Sequence, residues 1–180
     1  MNKSVYNTPD NISESRRHIL TVLVDNEPGV LAKVIGMFSG RGYNIESLNV
    51  AEVSNDEHLS RITIVTEGTK EVVTQIEKQL LRIVPVHSVS NLDEEGSAVE
   101  AEVALVNIDL NDKNKKKIYE VCDFYRARKI ENENNSIIFE IAGASDRVNR
   151  FIKEINQITK IEIVRSGPVA ISTQKNVEEE

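Results

Sequence analysis

Two short stretches carry residue types that could bind a small polar molecule: Asn26-Glu27-Pro28-Gly29-Val30-Leu31 and Gly42-Tyr43-Asn44-Ile45. Pro28 suits the first position of a helix, where its missing N–H would have had no partner. Gly29, Val30 and Leu31 would then supply the first free backbone N–H groups. With the positive end of the helix dipole, these groups make a site for an anion such as a carboxylate. Gly29 has no side chain, so a ligand can approach its backbone closely. Asn26 can cap the helix or offer a donor and an acceptor to a ligand, and Asn44 offers the same pair beside the branched apolar surface of Ile45. Such a set matches a free amino acid, with its carboxylate on the helix N–H groups and its ammonium on amide and carbonyl oxygens. A purely structural reading competes: Asn26 a cap, Asn44 a turn residue, Gly29 a tight-packing glycine. Residue types and spacing leave both open.

Other chemistry finds less support. Gly36, Gly40 and Gly42 lie within and after a helical stretch, whereas a dinucleotide loop places its glycines between strand and helix. The "GTK" at Gly68–Lys70 lacks the remainder of a Walker A loop. His18, His58 and His87 show no metal-ligand spacing and read as surface or edge histidines, so no metal site is expected. No nucleophile–base grouping stands out, and no catalytic residue is assigned. The single cysteine, Cys122, shares a helical stripe with Ile118, Val121 and Tyr125 and reads as a buried apolar side chain. The net charge of −7 argues against nucleic acid, whose binding rests on Lys and Arg displacing counterions. The "KNKKK" at 113–117 reads as the solvated start of a helix. No apolar run approaches the length of a membrane span. The polar N-terminus, with Asp10 and Glu14, is unlike a secretion signal, and a cytoplasmic location is expected.

The elements that must position these residues recur. "HILTVLVD" reads as a strand, and Leu31, Val34, Ile35 and Phe38 form a helical stripe. Two strand-like runs follow, then a second stripe at Val72, Val73, Ile76, Leu80 and Ile83, then "VPVHSVSNL". After the acidic, small-residue break "NLDEEGSA" the order restarts with "VEAEVALVNIDL", a helix that Asp112 could cap, and two strands turning at Asn134-Asn135. A stripe at Val148, Phe151, Ile152 and Ile155 and a final strand, "KIEIVRSGPVAIST", close it. The fold class is therefore α+β: two ferredoxin-like βαββαβ domains, each an antiparallel sheet with both helices on one face. The expected layout is a flexible tail at 1–17, a first domain at 18–92, a linker at 93–98, a second domain at 99–173 and an acidic tail at 174–180. Several strands are apolar on both faces, so a second domain or subunit should cover the open side. The same element order serves RNA-binding domains, but those need aromatics on their central strands, and here only Phe139 is offered.

"ILTVLVDNEPGVLAKVIGMFSGRGYNIESLNV", with "LSRITIV", "QIEKQL" and a later "VRSG", closely resembles the small regulatory subunit of acetolactate synthase, whose N-terminal part is an amino-acid-sensing ACT domain. The likeness is dense from His18 to Leu92 and looser beyond. It implies a chain without activity of its own and without a cofactor. Its partner would be a separate catalytic subunit using thiamine diphosphate, Mg and FAD, which it stimulates and places under feedback inhibition by valine or a related branched-chain amino acid. It also implies side-by-side pairing of ACT domains in a homodimer. Asn26, Gly29, Val30 and Leu31 of one protomer and Asn44 and Ile45 of the other would line the effector site. Two other readings remain: a stand-alone ACT-type sensor acting on some other protein, and a small enzyme on a ferredoxin-like scaffold.

Overall fold

The computed structural model describes residues 14–54, 56–93, 98–111, 113–133 and 136–173. Most of the expected tail and linker, the Asp112 cap, the Asn134-Asn135 turn and the acidic tail lie outside these residues. In the first half, β1 (Arg16–Asp25), α1 (Val30–Gly40), β2 (Ser47–Ser54), β3 (Leu59–Gly68), α2 (Lys70–Leu80) and β4 (Val86–Asn91) form an antiparallel sheet in the order β2-β3-β1-β4. β1 begins two residues before the apolar run because its ladder with β3 extends to Arg16 opposite Gly68. In the second half, β5 (Ala98–Asp109), α3 (Lys115–Phe124), β6 (Arg128–Glu133), β7 (Ser136–Gly143), α4 (Ser145–Ile158) and β8 (Ile161–Arg165) repeat the order as β6-β7-β5-β8, and β9 (Val169–Ser172) is added on β5.

Each sheet buries its helix-facing side chains. Leu20, Val22 and Val24 of β1 and Ile62 and Ile64 of β3 meet Val34 and Phe38 of α1 and Ile76 of α2. Ala104, Val106 and Ile108 of β5 meet Ile118 and Cys122 of α3 and Phe151 of α4. The expected α1 stripe is rotated: Val30, Val34, Met37 and Phe38 face the core, whereas Ile35 is 40% exposed. Successive helical residues turn by about 100°, so Leu31 and Ile35, each one position past Val30 and Val34, form a second stripe at the side of the helix.

The expected final strand is broken in two. At Ser166-Gly167-Pro168 the chain leaves the ladder, with Gly167 at φ 72 and a proline that has no N–H to give. Ser166 N still donates to Val103 O at 2.9 Å. β5 is long enough to serve both pieces: Ala104–Ile108 pair with β8, and Ala98–Ala101 pair with β9. Through this ribbon the second half covers part of the first sheet's open face. Ile19, Val65, Leu92 and Ala170 form a separate buried cluster there. Thus the strands with two apolar faces find part of their cover within the same chain.

A polar clasp borders that cluster. Arg17 Nη2 meets Glu100 Oε2 at 2.8 Å, and Glu100 Oε1 accepts from Ser145 N at 3.3 Å, so one carboxylate joins β1 to the start of α4. Nearby Glu102, 2% exposed, accepts from the Arg165 guanidinium, whose other nitrogen donates to Asn149 Oδ1 at 2.8 Å. Removing one partner of a buried pair leaves an uncompensated charge. Because Arg165 itself is partly exposed, Arg165→Ala should lower unfolding free energy by about 2 kcal/mol rather than the full buried-pair cost. Urea denaturation should show that loss, with Glu102→Gln costing less because its amide brings no charge inside.

Candidate functional site

The first strand–helix turn begins where β1 ends. Asn26 N donates to His58 O at 2.6 Å, so the turn is tied to the β2–β3 connection. The chain then passes Pro28 and enters α1 through Gly29, which holds φ 90. Pro28 therefore lies ahead of the cap instead of at the first helical position. The left-handed turn at Gly29 does the work of aiming the chain into the helix, a conformation that costs other residues about 1–2 kcal/mol. No atom lies within 4 Å of where a Gly29 Cβ would stand, so the glycine opens onto free space. Val30 N reaches Glu27 O at 3.4 Å and Lys33 N reaches Gly29 O at 3.1 Å. The N–H groups of Leu31 and Ala32 have no acceptor among the described residues.

Side-chain oxygens lie at or just ahead of the other helix starts. Thr69 accepts from Val72 N at 3.5 Å at the start of α2, where Glu71 also lies in the first turn. Asn111 Oδ1 accepts from Lys113 N and Asn114 N, both at 3.0 Å, ahead of α3. Glu100 serves α4, with Asp146 in its first turn. α1, like α3, has no side-chain cap and no acidic residue in its first turn, and its cap position is the open Gly29. Asn26 is exposed and does not cap the helix. Val30 is 3% exposed with its side chain in the core, so it can offer a ligand only its backbone. Leu31 is half-buried at the core's edge.

Asn44 and Ile45 lie past the other end of α1. Asn44 is exposed, and its carbonyl accepts from Thr66 Oγ1 at 2.6 Å. Ile45 packs partly on the first core, and Glu46 N donates to Val65 O at 2.8 Å. Thr66 is fully buried, and no sequence signal marked it as the anchor of this loop. The eleven residues of α1 rise about 16 Å, so a single chain holds the Gly29 turn and the Asn44 loop apart.

The histidine expectation needs one correction. His18 is 0% exposed, because β1 lies between β3 and β4 and His18, two residues before Leu20, faces the helix side of the sheet opposite the buried Thr66. Its ring nitrogens lack hydrogen-bond partners, the nearest charge being Asp93 Oδ2 at 3.6 Å from Nδ1. His58 is in the β2–β3 turn at φ 52, and His87, on edge strand β4, meets Asp25 Oδ1 at 2.5 Å. Among the described residues no three His, Cys, Asp or Glu side chains converge to hold a metal, and no helix is long and apolar enough to cross a membrane.

The sheet order with its open strand–helix turn is that of an ACT-type regulatory domain, and comparison with known proteins carries this further. Residues 20–88 match the family described as AHAS small subunit-like ACT domain, and residues 101–174 match that described as small subunit of acetolactate synthase. The acetolactate synthase isozyme 3 small subunit of Salmonella typhimurium is 42% identical over 157 residues, covering 87% of this chain and 95% of that protein. The acetolactate synthase small subunit of Haemophilus influenzae is 38% identical, with 89% and 99% covered. The crystal structure of the small subunit from Thermotoga maritima superposes with a TM-score of 0.78 at 37% identity, covering 87% of this chain and 96% of that one. The chain belongs to the acetolactate synthase small-subunit family, the regulatory, non-catalytic subunits of that enzyme.

Cys122 takes no part in this site. Burial first, then the neighbouring Asp123, push its thiol up to about 12. It therefore remains protonated through neutral pH, and the thiolate that would react is absent. Iodoacetamide at pH 8 should leave the folded chain unlabelled and modify Cys122 once urea unfolds it; mass spectrometry reads both states.

Proposed function

We propose that this chain senses valine or a related branched-chain amino acid and transmits its presence to a separate, thiamine-diphosphate-dependent catalytic subunit of acetolactate synthase. It stimulates that subunit and places it under feedback inhibition, in the cytoplasm, with residues 18–92 as the sensing domain and 99–173 as a second regulatory domain. The observation that carries the effector site is Gly29, at φ 90 and with open space around it, at the start of a helix that has no side-chain cap. A ligand carboxylate there would take the free N–H groups and complement the helix dipole. Leu31 supplies apolar surface beside it.

The other half of the site comes from a second copy. β2 is an edge of its sheet, and it exposes Val50 by 44% and Val53 by 49%. Ile35, 40% exposed, adds apolar surface on α1. Two copies joined β2 to β2 in antiparallel fashion run their α1 helices in opposite directions. That arrangement sets the Gly29 turn of one chain toward the Asn44–Ile45 loop of the other, which one chain cannot do alone. Asn44 then holds the ligand's polar end, and Ile45 meets its branched side chain.

Calorimetric titration tests this reading: valine should bind saturably, with leucine and isoleucine as graded competitors and lysine without effect. Gly29→Asp places a carboxylate where the ligand's belongs and should weaken valine by about tenfold or more, a loss of ~1.4 kcal/mol. The same change should lower stability by only about 1–2 kcal/mol, since the position is open and the cost is backbone strain. Asn44→Ala should cost about 1–3 kcal/mol of valine affinity, because the loop stays anchored through the Asn44 carbonyl and only side-chain hydrogen bonds are lost. Normal valine affinity in both variants would refute the site.

A further inference from the structure

The Ser166-Gly167-Pro168 turn, part of the "VRSG" stretch, belongs to neither core and to neither half of the effector site. It lies against β2. A Cβ on Gly167 would stand 1.9 Å from Ser47 Oγ, 3.1 Å from Ser47 Cβ and 3.2 Å from Asn49 Nδ2. Gly167 also holds φ 72, so the position excludes a side chain by conformation as well as by space. Asn49 Nδ2 donates to Pro168 O at 3.1 Å. Ser47 and Asn49 point to the sheet face away from the helices, where they stand opposite Val65 and Thr63 of β3.

Both ends of this contact are held firmly. On the first-domain side, Ser47 is two residues beyond Ile45 and three beyond Asn44. The Thr66 hydroxyl on Asn44 O and the Glu46 N bond to Val65 O leave little slack between them. On the other side, Ser166 Oγ accepts from Val103 N at 3.1 Å and Ser166 N donates to Val103 O at 2.9 Å, so the turn is fastened to β5 in the middle of the second sheet. A cleft of about 460 Å³ opens beside it, bordered by Arg17, Glu46, Ser47, Glu102, Arg165 and Pro168. The two halves therefore meet here through a few groups and not through a broad packed face.

We propose that the Gly167–Pro168 turn is the positioning element that carries occupancy of the Asn44–Ile45 loop from β2 into the second sheet. This rests on the effector reading given above. Gly167 permits the close approach to Ser47, and Asn49 holds the turn in register with β2.

Hydrogen–deuterium exchange on the full chain, with and without saturating valine, tests it. In the wild type, valine should slow exchange by about threefold or more in peptides spanning 44–50 and also in those spanning 101–105 and 164–171. Gly167→Ala should keep the first response and lose the second. Adding Ser47→Gly removes the two atoms that the new methyl meets most closely and, with the backbone strain at φ 72 and the Asn49 contact still present, should restore the second response in part, which a merely folding defect would not allow. Asn49→Ala, which introduces no clash, should reduce the second response by about half or more. Slowing confined to 44–50 in the wild type overturns the proposal, as does a full second response in Gly167→Ala. If Gly167→Ala fails to fold, an undiminished second response in Asn49→Ala overturns it. Silence of every peptide toward valine brings down the effector reading and this coupling together, and is told apart by the missing response at 44–50.

Discussion

The second face of the first sheet is the constraint on which the rest of this structure depends. A βαββαβ unit covers one face of its sheet with two helices and leaves the other bare. Here that bare face carries Ile19 and Val65, and burying each such side chain is worth about 1.5–3 kcal/mol. The chain meets the need by making β5 longer than its own sheet requires, so that its first four residues pair with β9 and press Ala170 against the first domain. Cover for one domain thus comes from an extension of the other. The union of two similar units into one molecule follows from that, and so does the placement of the Ser166-Gly167-Pro168 turn against β2.

The helix starts express a second constraint. Free N–H groups at a helix N-terminus favour negative charge, and α2 and α4 each receive an oxygen from a nearby side chain. α1 receives none. Its first turn begins with a left-handed glycine open to solvent, so the same electrostatics that a cap would satisfy internally remain available to a ligand. Stability is relinquished locally where a binding function is proposed, while the buried strand β1 before the turn and the core-facing side of α1 after it supply the rigidity.

The loop past the far end of α1 leads directly to the covered sheet face. The Asn44 loop is pinned by Thr66, passes within a few residues into β2, and there meets the turn from the second sheet. Two polar contacts join the halves along this route, Arg17 with Glu100 and Asn49 with Pro168, while Glu102 with Arg165 braces the second half behind them. Polar and charge-assisted contacts are directional, so they hold one relative placement of the two halves, whereas the small apolar cluster alone would tolerate sliding. A regulatory chain needs such definition, since its output is a change of arrangement and not a reaction.

Much of this was legible in the residues alone. Strand-length apolar runs in "HILTVLVD" and "SRITIV", the apolar spacing of α2 and α4, and the break at "NLDEEGSA" determined the order of elements and the repeat, because apolar runs and their spacing are local properties. The Asn26–Leu31 stretch marked a helix start that could hold an anion, and Asn44–Ile45 a polar and apolar pair beyond the helix, but residue types alone left open whether either binds a ligand. Other features were decided only by tertiary structure. His18 is buried because its strand is central in the sheet and its side chain falls on the helix-facing side, and Ile35 is exposed because packing chose the neighbouring stripe of α1. The final strand breaks at Gly167 because β9 must reach the first domain, and Asn44 is anchored by a threonine 22 residues away. Local sequence sets which faces can be apolar, but which of those faces is covered depends on contacts between residues far apart in the chain, and only the folded arrangement fixes them.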